Sequence, residues 1–241
     1  MSTAGPIIMP VPWRLIPATL VDRPNRFLTR IRLNDTMVSA HLPDPGRLEE
    51  LLLPGVDLLV QHSPGPGRKT DYTVHLVQRP SLPGWVCINT LLPNRFVEFL
   101  LQDSHLPFLD GWSLAGAEVT VGHSRFDFLL EQGRKRLYLE VKSVTYVEGG
   151  VAQFPDAVSA RAAKHARHLA DLVANGAQAM ILFVIQRDDA HTFRPMWDRD
   201  PETGRALNEA HRAGVAVRAI KLTVTPEVFT LAGQVSVDLE P

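Results

Sequence analysis

The fold of the C-terminal part of the chain is decided by residues 124–145, which read SRFDFLLEQGRKRLYLEVKSVT. Two runs with the residue content of β-strands flank a turn at Glu131-Gln132-Gly133, a pattern typical of a hairpin. Because side chains alternate between the faces of a strand, Glu140 and Lys142 point to the same side, about 6–7 Å apart along the chain. Pairing of the two runs would bring Asp127 to the same patch.

Two carboxylates and one ammonium group among apolar residues are costly to bury unless they bind something. Mg²⁺ is commonly held by one or two carboxylates together with water and substrate phosphate. A neighbouring lysine can orient an attacking water or stabilise developing phosphate charge. The order of Asp127, Glu140 and Lys142 resembles the PD-(D/E)xK nuclease motif, although Phe126 stands where that motif has proline. The alternative interpretation is an edge hairpin with a surface ion pair.

The composition is that of an ordinary soluble globular protein. The 241 residues are 45% hydrophobic and 21% charged, with a net charge of −1, so any basic surface for nucleic acid must be local. The single cysteine, Cys87, excludes an internal disulfide and a cysteine metal cluster and is typical of a reducing cytoplasm. We see no pattern of a signal peptide and no stretch with the length of a membrane helix, so we expect a cytoplasmic protein without a membrane partner.

The first part of the chain is predicted to be mostly strand. Turn sequences separate five short apolar or alternating runs, at residues 14–21, 27–33, 37–42, 56–62 and 72–77. Residues 47–53 are predicted to form a helix that ends at Pro54-Gly55. Five strands with a helix in the middle are typical of an OB-type barrel, which commonly binds single-stranded nucleic acid or oligosaccharide on one face.

Basic residues stand out in the turns of this barrel. Their functional interpretation is contact with nucleic-acid phosphates, and the alternative is ordinary solvated loop charge. The candidates are Arg23, Arg26, Arg47, Arg68 and Lys69, with Arg125 beside them from the later hairpin.

A segment rich in proline and glycine, residues 79–84, predicts a linker. The predicted domains are therefore residues 1–82 and 83–241. In the second domain, strands are predicted at residues 85–89, 117–121, 125–130, 136–144, 179–185, 215–223, 228–231 and 234–239. Helices are predicted from Asn94 as N-cap to Leu101, and over 157–174 and 201–213. This order predicts an α/β (mixed α+β) domain whose mixed sheet is flanked by helices.

Several stretches together resemble the sugar fermentation stimulation protein A family. They run nearly from end to end of the chain: Arg23-Pro24-Asn25-Arg26-Phe27, His41-Leu42-Pro43, Gly46-Arg47-Leu48, Arg68-Lys69-Thr70, Leu92-Pro93-Asn94-Arg95, Ser124-Arg125-Phe126-Asp127-Phe128, Glu140-Val141-Lys142-Ser143-Val144-Thr145, Phe154-Pro155-Asp156-Ala157-Val158 and Lys164-His165. Asp44 stands where the family pattern has asparagine, which puts one loop contact in doubt.

The resemblance implies an N-terminal OB-like barrel, a C-terminal restriction-endonuclease-like domain, DNA as a partner and a role in regulating the use of sugars, maltose in particular. It also adds an acidic residue on the first helix to the site. The implied ligands of Mg²⁺ or Mn²⁺ are Glu98, Asp127 and Glu140. Lys142 is implied to orient the water, and Lys164 to stabilise the scissile phosphate.

Two functions stay open at this point. The first is a metal-dependent nuclease, and the second is a non-catalytic DNA-binding transcriptional regulator that uses the nuclease-like domain as a binding surface. The complete set of carboxylates and lysine favours the first, although a fold does not dictate a function. A barrel that binds oligosaccharide is a third interpretation. The sequence leaves open whether RNA is bound as well as DNA, and whether the chain forms a homodimer.

Overall fold

The computed structural model describes residues 5–80 and 82–241, which form two compact units. The first unit takes in the chain up to Leu92 together with residues 186–188 and 222–232. The second takes in residues 93–185, 189–221 and 233–241. We number strands and helices in chain order. No helix in the described part of the chain has the length and apolar character needed to cross a membrane.

The first unit contains a closed five-stranded barrel. Its strands are β2 (Leu15–Asn25), β3 (Leu28–Leu33), β4 (Thr36–His41), β5 (Asp57–His62) and β6 (Tyr72–Gln78), after a short β1 (Ile8–Pro10) and before β7 (Trp85–Cys87). The order is β4-β3-β2-β5-β6-β7, and β4 also pairs with β6, which closes the barrel. The predicted OB-like architecture and its five strands are confirmed.

The prediction of a helix at residues 47–53 is wrong. The chain makes only a turn there, in which the amides of Leu51 and Leu52 donate to the carbonyl of Leu48. Leu48 has a positive φ of 52°, which no helix accommodates. All three leucines are buried in the barrel core. Because helix nucleation is costly, and proline or glycine stands on both sides, a single turn suffices to bury them.

The predicted linker at residues 79–84, of which residue 81 lies outside the described part of the chain, joins two paired strands of the first unit. Strands β6 and β7 pair across it, and the amide of Arg79 donates to the carbonyl of Gly84 at 3.0 Å. Gly84 has a φ of 114°, a conformation that favours glycine. The predicted boundary at 82/83 therefore falls inside this hairpin, and the first compact unit continues to Leu92.

The second unit is a mixed sheet with flanking helices, as predicted. The helices are α1 (Leu92–Gln102), α2 (Ala160–Ala174) and α3 (Pro201–Arg212), with a 3₁₀ turn at Pro107–Leu109. The strands of its sheet are β8 (Ser113–Val121), β9 (Ser124–Gln132), β10 (Lys135–Val144), β11 (Val147–Glu148), β12 (Val151–Phe154), β13 (Gln178–Ile185), β14 (Thr192–Pro195), β15 (Ala216–Val224) and β16 (Val228–Val237). Their order is β11-β12-β14-β16-β15-β13-β10-β9-β8. The end of β15 and the first half of β16, within residues 222–232, belong to the first unit.

The centre of this sheet is parallel and buried. Strand β13 lies parallel to both β10 and β15, and seven of its eight residues are buried. Such a continuous apolar strand is typical of a parallel sheet covered on both faces. Helices α2 and α3 bury Ala163, Ala166, Leu169 and Leu207 in the same core. The core therefore fixes the position of β10 and of the residues it carries.

Candidate active site

The β9–β10 hairpin is the element that positions the site. Its two strands pair antiparallel from Lys135 with Gln132 to Leu139 with Phe128. Continued by one residue, this register sets Asp127 opposite Glu140. Beyond Leu139, strand β10 goes on in parallel with β13 as far as Val144. The two carboxylates therefore stand just past the point where the pairing of β10 with β9 ends while its pairing with β13 continues.

Asp127 is held by two donors. Its Oδ1 accepts a hydrogen bond from Nδ2 of Asn94 at 2.6 Å, and its Oδ2 accepts one from the backbone amide of Val141 at 2.7 Å. Burial raises the pKa of the Asp127 carboxyl, and the nearby charge of Glu140 raises it further. The two hydrogen bonds oppose that rise without cancelling it. The two hydrogen bonds thus hold the Asp127 carboxylate in place, while burial and the charge of Glu140 make its ionised form unfavourable.

Glu140 is buried, with 3% of its surface exposed. Nζ of Lys142 lies 2.5 Å and Nδ1 of His165 lies 2.6 Å from the same oxygen, Oε1. Burial pushes the pKa of Glu140 up, but the hydrogen bonds and charges of His165 and Lys142 outweigh it, so the pKa is lowered. Because an ionised carboxylate only accepts, Nδ1 of His165 must carry a proton here.

The second oxygen of Glu140 has no such partner. Oε2 is buried and makes no hydrogen bond to any of the described residues. A buried carboxylate oxygen without a hydrogen bond costs free energy and is uncommon in folded proteins. The chain therefore anchors Glu140 through one oxygen and leaves the other available to a cation.

Helix α2 supplies the histidine. It begins after the N-cap Ser159, whose side chain accepts from the amide of Ala162. His165 is buried and contacts the ring of Phe126 edge-on, with centroids 5.8 Å apart. Lys164, the predicted candidate on this helix, is exposed beside it. The structure therefore joins His165 to Glu140, and the phosphate role of Lys164 stays a prediction.

Helix α1 supplies a hydrogen-bond donor to Asp127. Asn94 was predicted as the N-cap, but α1 begins at Leu92, so Asn94 is inside the helix and its side chain is free to reach Asp127. Glu98 lies one turn later, half-buried on the same stripe of the helix. Within residues 5–80 and 82–241, no three acidic, histidine or cysteine side chains already form a metal-binding group. The role of Glu98 as a third ligand therefore stays a prediction.

Two residues of the site, Asn94 and His165, were missed from the sequence. Both lie inside the matched stretches Leu92-Pro93-Asn94-Arg95 and Lys164-His165. Their place within these family-matching stretches could have identified them from the sequence. Their positions in the helical pattern could not. His165 falls on the apolar stripe of α2, where a histidine is ordinarily a core residue.

The predicted phosphate contacts lie in different settings. The guanidinium of Arg23 donates to the backbone carbonyls of Arg26, Gly46 and Arg47, so this arginine ties two loops of the barrel together. The others are exposed: Arg26, Arg47, Arg68 and Lys69 in the first unit, and Arg125 in the second. Arg125 lies 3.5 Å from Glu118, and Arg68 donates to Thr73 at 2.6 Å.

Comparisons with known proteins match both units. Residues 21–88 match the family model described as the SfsA N-terminal OB domain, and residues 91–228 match the one described as the sugar fermentation stimulation protein RE domain. The junction between the two matches lies close to the end of the first compact unit at Leu92.

Relatives of the same length carry the family's name. The chain is 38% identical to a sugar fermentation stimulation protein homolog of Desulforamulus reducens, over 97% of this chain and 95% of that protein. It is 43% identical to the homolog of Thioalkalivibrio sulfidiphilus, over 93% and 96%. A solved structure, Pyrococcus furiosus SfsA in complex with Ca²⁺, is 31% identical, with a TM-score of 0.85 over 95% of this chain and 98% of that one.

Proposed function

The chain belongs to the sugar fermentation stimulation protein family, and from the geometry of its carboxylates and lysine we propose that it is a metal-dependent nuclease. In this proposal the second unit hydrolyses phosphodiester bonds, with Mg²⁺ or Mn²⁺ as cofactor. The first unit binds the nucleic acid, DNA in the first instance, through exposed basic residues of the barrel loops: Arg26, Arg47, Arg68 and Lys69.

One observation carries the proposal. Glu140 is buried and ionised, and both of its donors occupy Oε1, which leaves Oε2 buried without a hydrogen bond among the described residues. The register of the hairpin sets Asp127 opposite it. A divalent cation is the group that best relieves two neighbouring carboxylates in such a setting.

The residues present fit a hard cation with oxygen ligands. Asp127 and Glu140 would hold it, with the carbonyl of Val141 and the carboxylate of Glu98 as further donors of the same kind. The related Pyrococcus furiosus structure is described as a complex with Ca²⁺, also a hard cation that prefers oxygen. When bound, such an ion supplies positive charge that stabilises the charge developing on the phosphate.

The remaining groups of the site have separate tasks. The ammonium of Lys142 only donates hydrogen bonds, so it orients the attacking water through the water oxygen. His165 and Asn94 act as positioning residues that fix Glu140 and Asp127. In the hydrolysis, the water oxygen bonds to phosphorus as the bond from phosphorus to the leaving oxygen breaks. The attacking water releases a proton to solvent, and the leaving oxygen takes one up.

Cleavage of labelled single- and double-stranded DNA and RNA in Mg²⁺, Mn²⁺ or EDTA tests the proposal. Glu140→Gln keeps an oxygen for His165 and Lys142 but replaces the free oxygen by an amide, which repels a cation. We expect wild type to cleave in Mn²⁺ and not in EDTA, and Glu140→Gln to be at least about 100-fold slower.

The matched control is Glu131→Gln, at a half-buried glutamate of the same hairpin that pairs with Arg136. It should cleave at the wild-type rate. If wild type binds DNA but cleaves no substrate with any metal, the chain is the non-catalytic DNA-binding regulator instead. Equal rates for Glu140→Gln and wild type would remove Glu140 from the mechanism.

A further inference from the structure

The barrel carries a cavity on its outer face. Its volume is about 600 Å³, and the outer ends of β3 and β4, the β2–β3 turn and the loop before β6 enclose it. The lining residues are Asn25, Phe27, Leu28, Ser39, His41, Gly67, Arg68, Lys69 and Thr70. A cavity of this size is within the range of small-molecule sites and holds one nucleotide or one sugar unit comfortably.

Phe27 is the unusual residue of this cavity. Half of its surface, 50%, is exposed. A single exposed aromatic residue needs no explanation by itself. Here, however, the backbone beneath the ring is fixed on both sides. The amide of Phe27 donates a hydrogen bond to Oδ1 of Asn25 at 2.9 Å, and its carbonyl accepts one from the amide of Leu42 at 3.0 Å. The ring is thus presented to the cavity from a rigid support.

Positively charged residues line the same cavity. Arg68 and Lys69 are exposed there, and Arg68 is oriented by its hydrogen bonds to Thr70 and Thr73. Along β3, Leu28 alternates with buried Thr29, and the exposed residues that follow on its side are Arg30 and Arg32. Arg30 pairs with Asp22 at the surface, where such pairs are weak and easily exchanged. The cations therefore continue from the cavity along the strand.

We propose that this surface is a subsite for single-stranded nucleic acid, in which Phe27 stacks on one unpaired base. The outer side of β3 and the residues Arg68 and Lys69 contact the phosphates on either side of that base. The inference rests on nucleic acid being the substrate of the chain, as proposed above, and adds that the barrel selects unpaired bases. Stacking on aromatic side chains next to a basic groove is the general way in which such barrels hold single strands.

The charges favour this occupant over the two alternatives. An oligosaccharide also stacks on aromatic rings, but a neutral sugar gains little from Arg68, Lys69, Arg30 and Arg32. In a duplex the bases are stacked on one another, so a ring on a barrel surface cannot reach a base face unless the base is extruded. Only an unpaired strand uses both the aromatic ring and the row of cations.

The test is the affinity of the full chain for labelled oligomers in EDTA, where no cleavage occurs. The probes are a twelve-nucleotide thymidine oligomer, an abasic oligomer of equal length and charge, and a duplex of equal length. We expect wild type to prefer the thymidine oligomer. Phe27→Ala should weaken that binding about 5- to 150-fold and leave the abasic oligomer almost unchanged. Phe27→Trp should restore the affinity, since its ring also stacks.

The matched control is Leu53→Ala, which removes an apolar residue of similar exposure, 45%, from the same unit. It should bind all probes as wild type does. Equal thymidine affinity of Phe27→Ala and wild type would overturn the subsite, as would a preference of wild type for the duplex or for a neutral maltooligosaccharide.

Failure of the subsite can be told from failure of the nuclease. If Phe27→Ala binds as wild type while wild type still cleaves in Mn²⁺, only the subsite is wrong. If binding depends on Phe27 and wild type never cleaves, only the catalytic proposal is wrong. If wild type binds none of the three oligomers but cleaves in Mn²⁺, only the subsite is wrong; if it neither binds them nor cleaves any substrate, both are overturned.

Discussion

At the scale of single residues, two neighbouring carboxyl groups have opposite pKa shifts. Burial and the charge of Glu140 raise the pKa of Asp127, whose own donors, Asn94 and the Val141 amide, are neutral. Glu140 is also buried, but the hydrogen bond from His165 and the charge and hydrogen bond of Lys142 outweigh burial, and its pKa is lowered. Carboxyl groups whose pKa values are pushed apart are typical of sites with divided chemical tasks.

These shifts predict a gain in stability when Asp127 is made neutral. A carboxyl group whose pKa is raised in the folded state destabilises the fold once it is ionised. Asp127→Asn removes that charge and keeps an oxygen for the Val141 amide, while its NH₂ group faces Asn94, whose side chain can turn to present its own oxygen. In EDTA at neutral pH, we expect the second unit of the variant to melt higher by about 2–4 °C, the effect of about 1 kcal/mol in a chain of this size. Differential scanning calorimetry measures it.

Added Mn²⁺ is the control for this prediction. Because a ligand that binds only the folded state raises the melting temperature, Mn²⁺ should stabilise wild type and leave Asp127→Asn almost unchanged. The role given to Asp127 is contradicted if the variant melts below wild type in EDTA. It is also contradicted if Mn²⁺ raises the melting temperature of the variant as much as that of wild type.

The sequence predicts the strand residues of the site well and the helix residues poorly. Alternation along β10 places Glu140 beside Lys142, and their contact at 2.5 Å confirms it. The hairpin likewise brings Asp127 to the same place. Asn94 and His165 act from helices, whose approach to a strand depends on tertiary packing that no local pattern encodes.

At the scale of elements, helix α2 separates two adjacent basic residues. His165 is buried against Glu140 and Lys164 is exposed, because successive helical residues point about 100° apart. We therefore expect different defects. His165→Ala should lower cleavage about 10- to 100-fold and raise the Mn²⁺ concentration needed for half-maximal rate, as loss of a group that orients a metal ligand does.

Lys164→Ala serves as the neighbouring comparison on the same helix. If Lys164 contacts the substrate phosphate, this variant should raise KM in a salt-dependent way and leave the Mn²⁺ midpoint at the wild-type value. The cleavage rate of each variant, measured as a function of Mn²⁺ concentration, distinguishes a role in metal binding from a role in substrate binding. Equal Mn²⁺ midpoints for His165→Ala and wild type would show that the histidine does not position Glu140.

The elements that the sequence misses are short or depend on their neighbours. Strands β11, β12 and β14 have two to four residues, too few for an alternating pattern to show. The helix predicted at residues 47–53 has suitable leucines, but they are buried by one turn alone. Long runs with a clear pattern, such as the continuous apolar run of β13 and the helical period of α3, lie within one residue of their predicted bounds.

At the scale of the whole molecule, the proposed function assigns nucleic-acid binding to the first unit and cleavage to the second. The net charge of −1 gives no sign of a nucleic-acid partner, and the basic residues that matter to the proposal, such as Arg68 and Lys69 at the barrel cavity, are a local feature. Each unit has its own sequence pattern, so the two-domain architecture could be predicted. The boundary could not, because β7 has only three residues and joins the first unit through tertiary contacts, its pairing with β6 and the burial of Val86 in the barrel core.

This division of tasks makes affinity and cleavage separable. Lys142 lies in the second unit, with 15% of its side chain exposed, and pairs with Glu140. Replacing it by alanine removes one charge among many, so we expect the affinity of the full chain for DNA to stay within about twofold of wild type. The same change removes the group that orients the attacking water, which is typically worth about 100-fold or more in rate.

The measurement that tests the account most directly is therefore a paired one on Lys142→Ala and wild type. DNA affinity is measured in EDTA and the single-turnover cleavage rate in Mn²⁺, on the same oligomer. The account predicts nearly equal affinities and a cleavage rate at least about 100-fold lower in the variant. Cleavage by Lys142→Ala at the wild-type rate would contradict it, as would a wild-type protein that binds the oligomer and never cuts it.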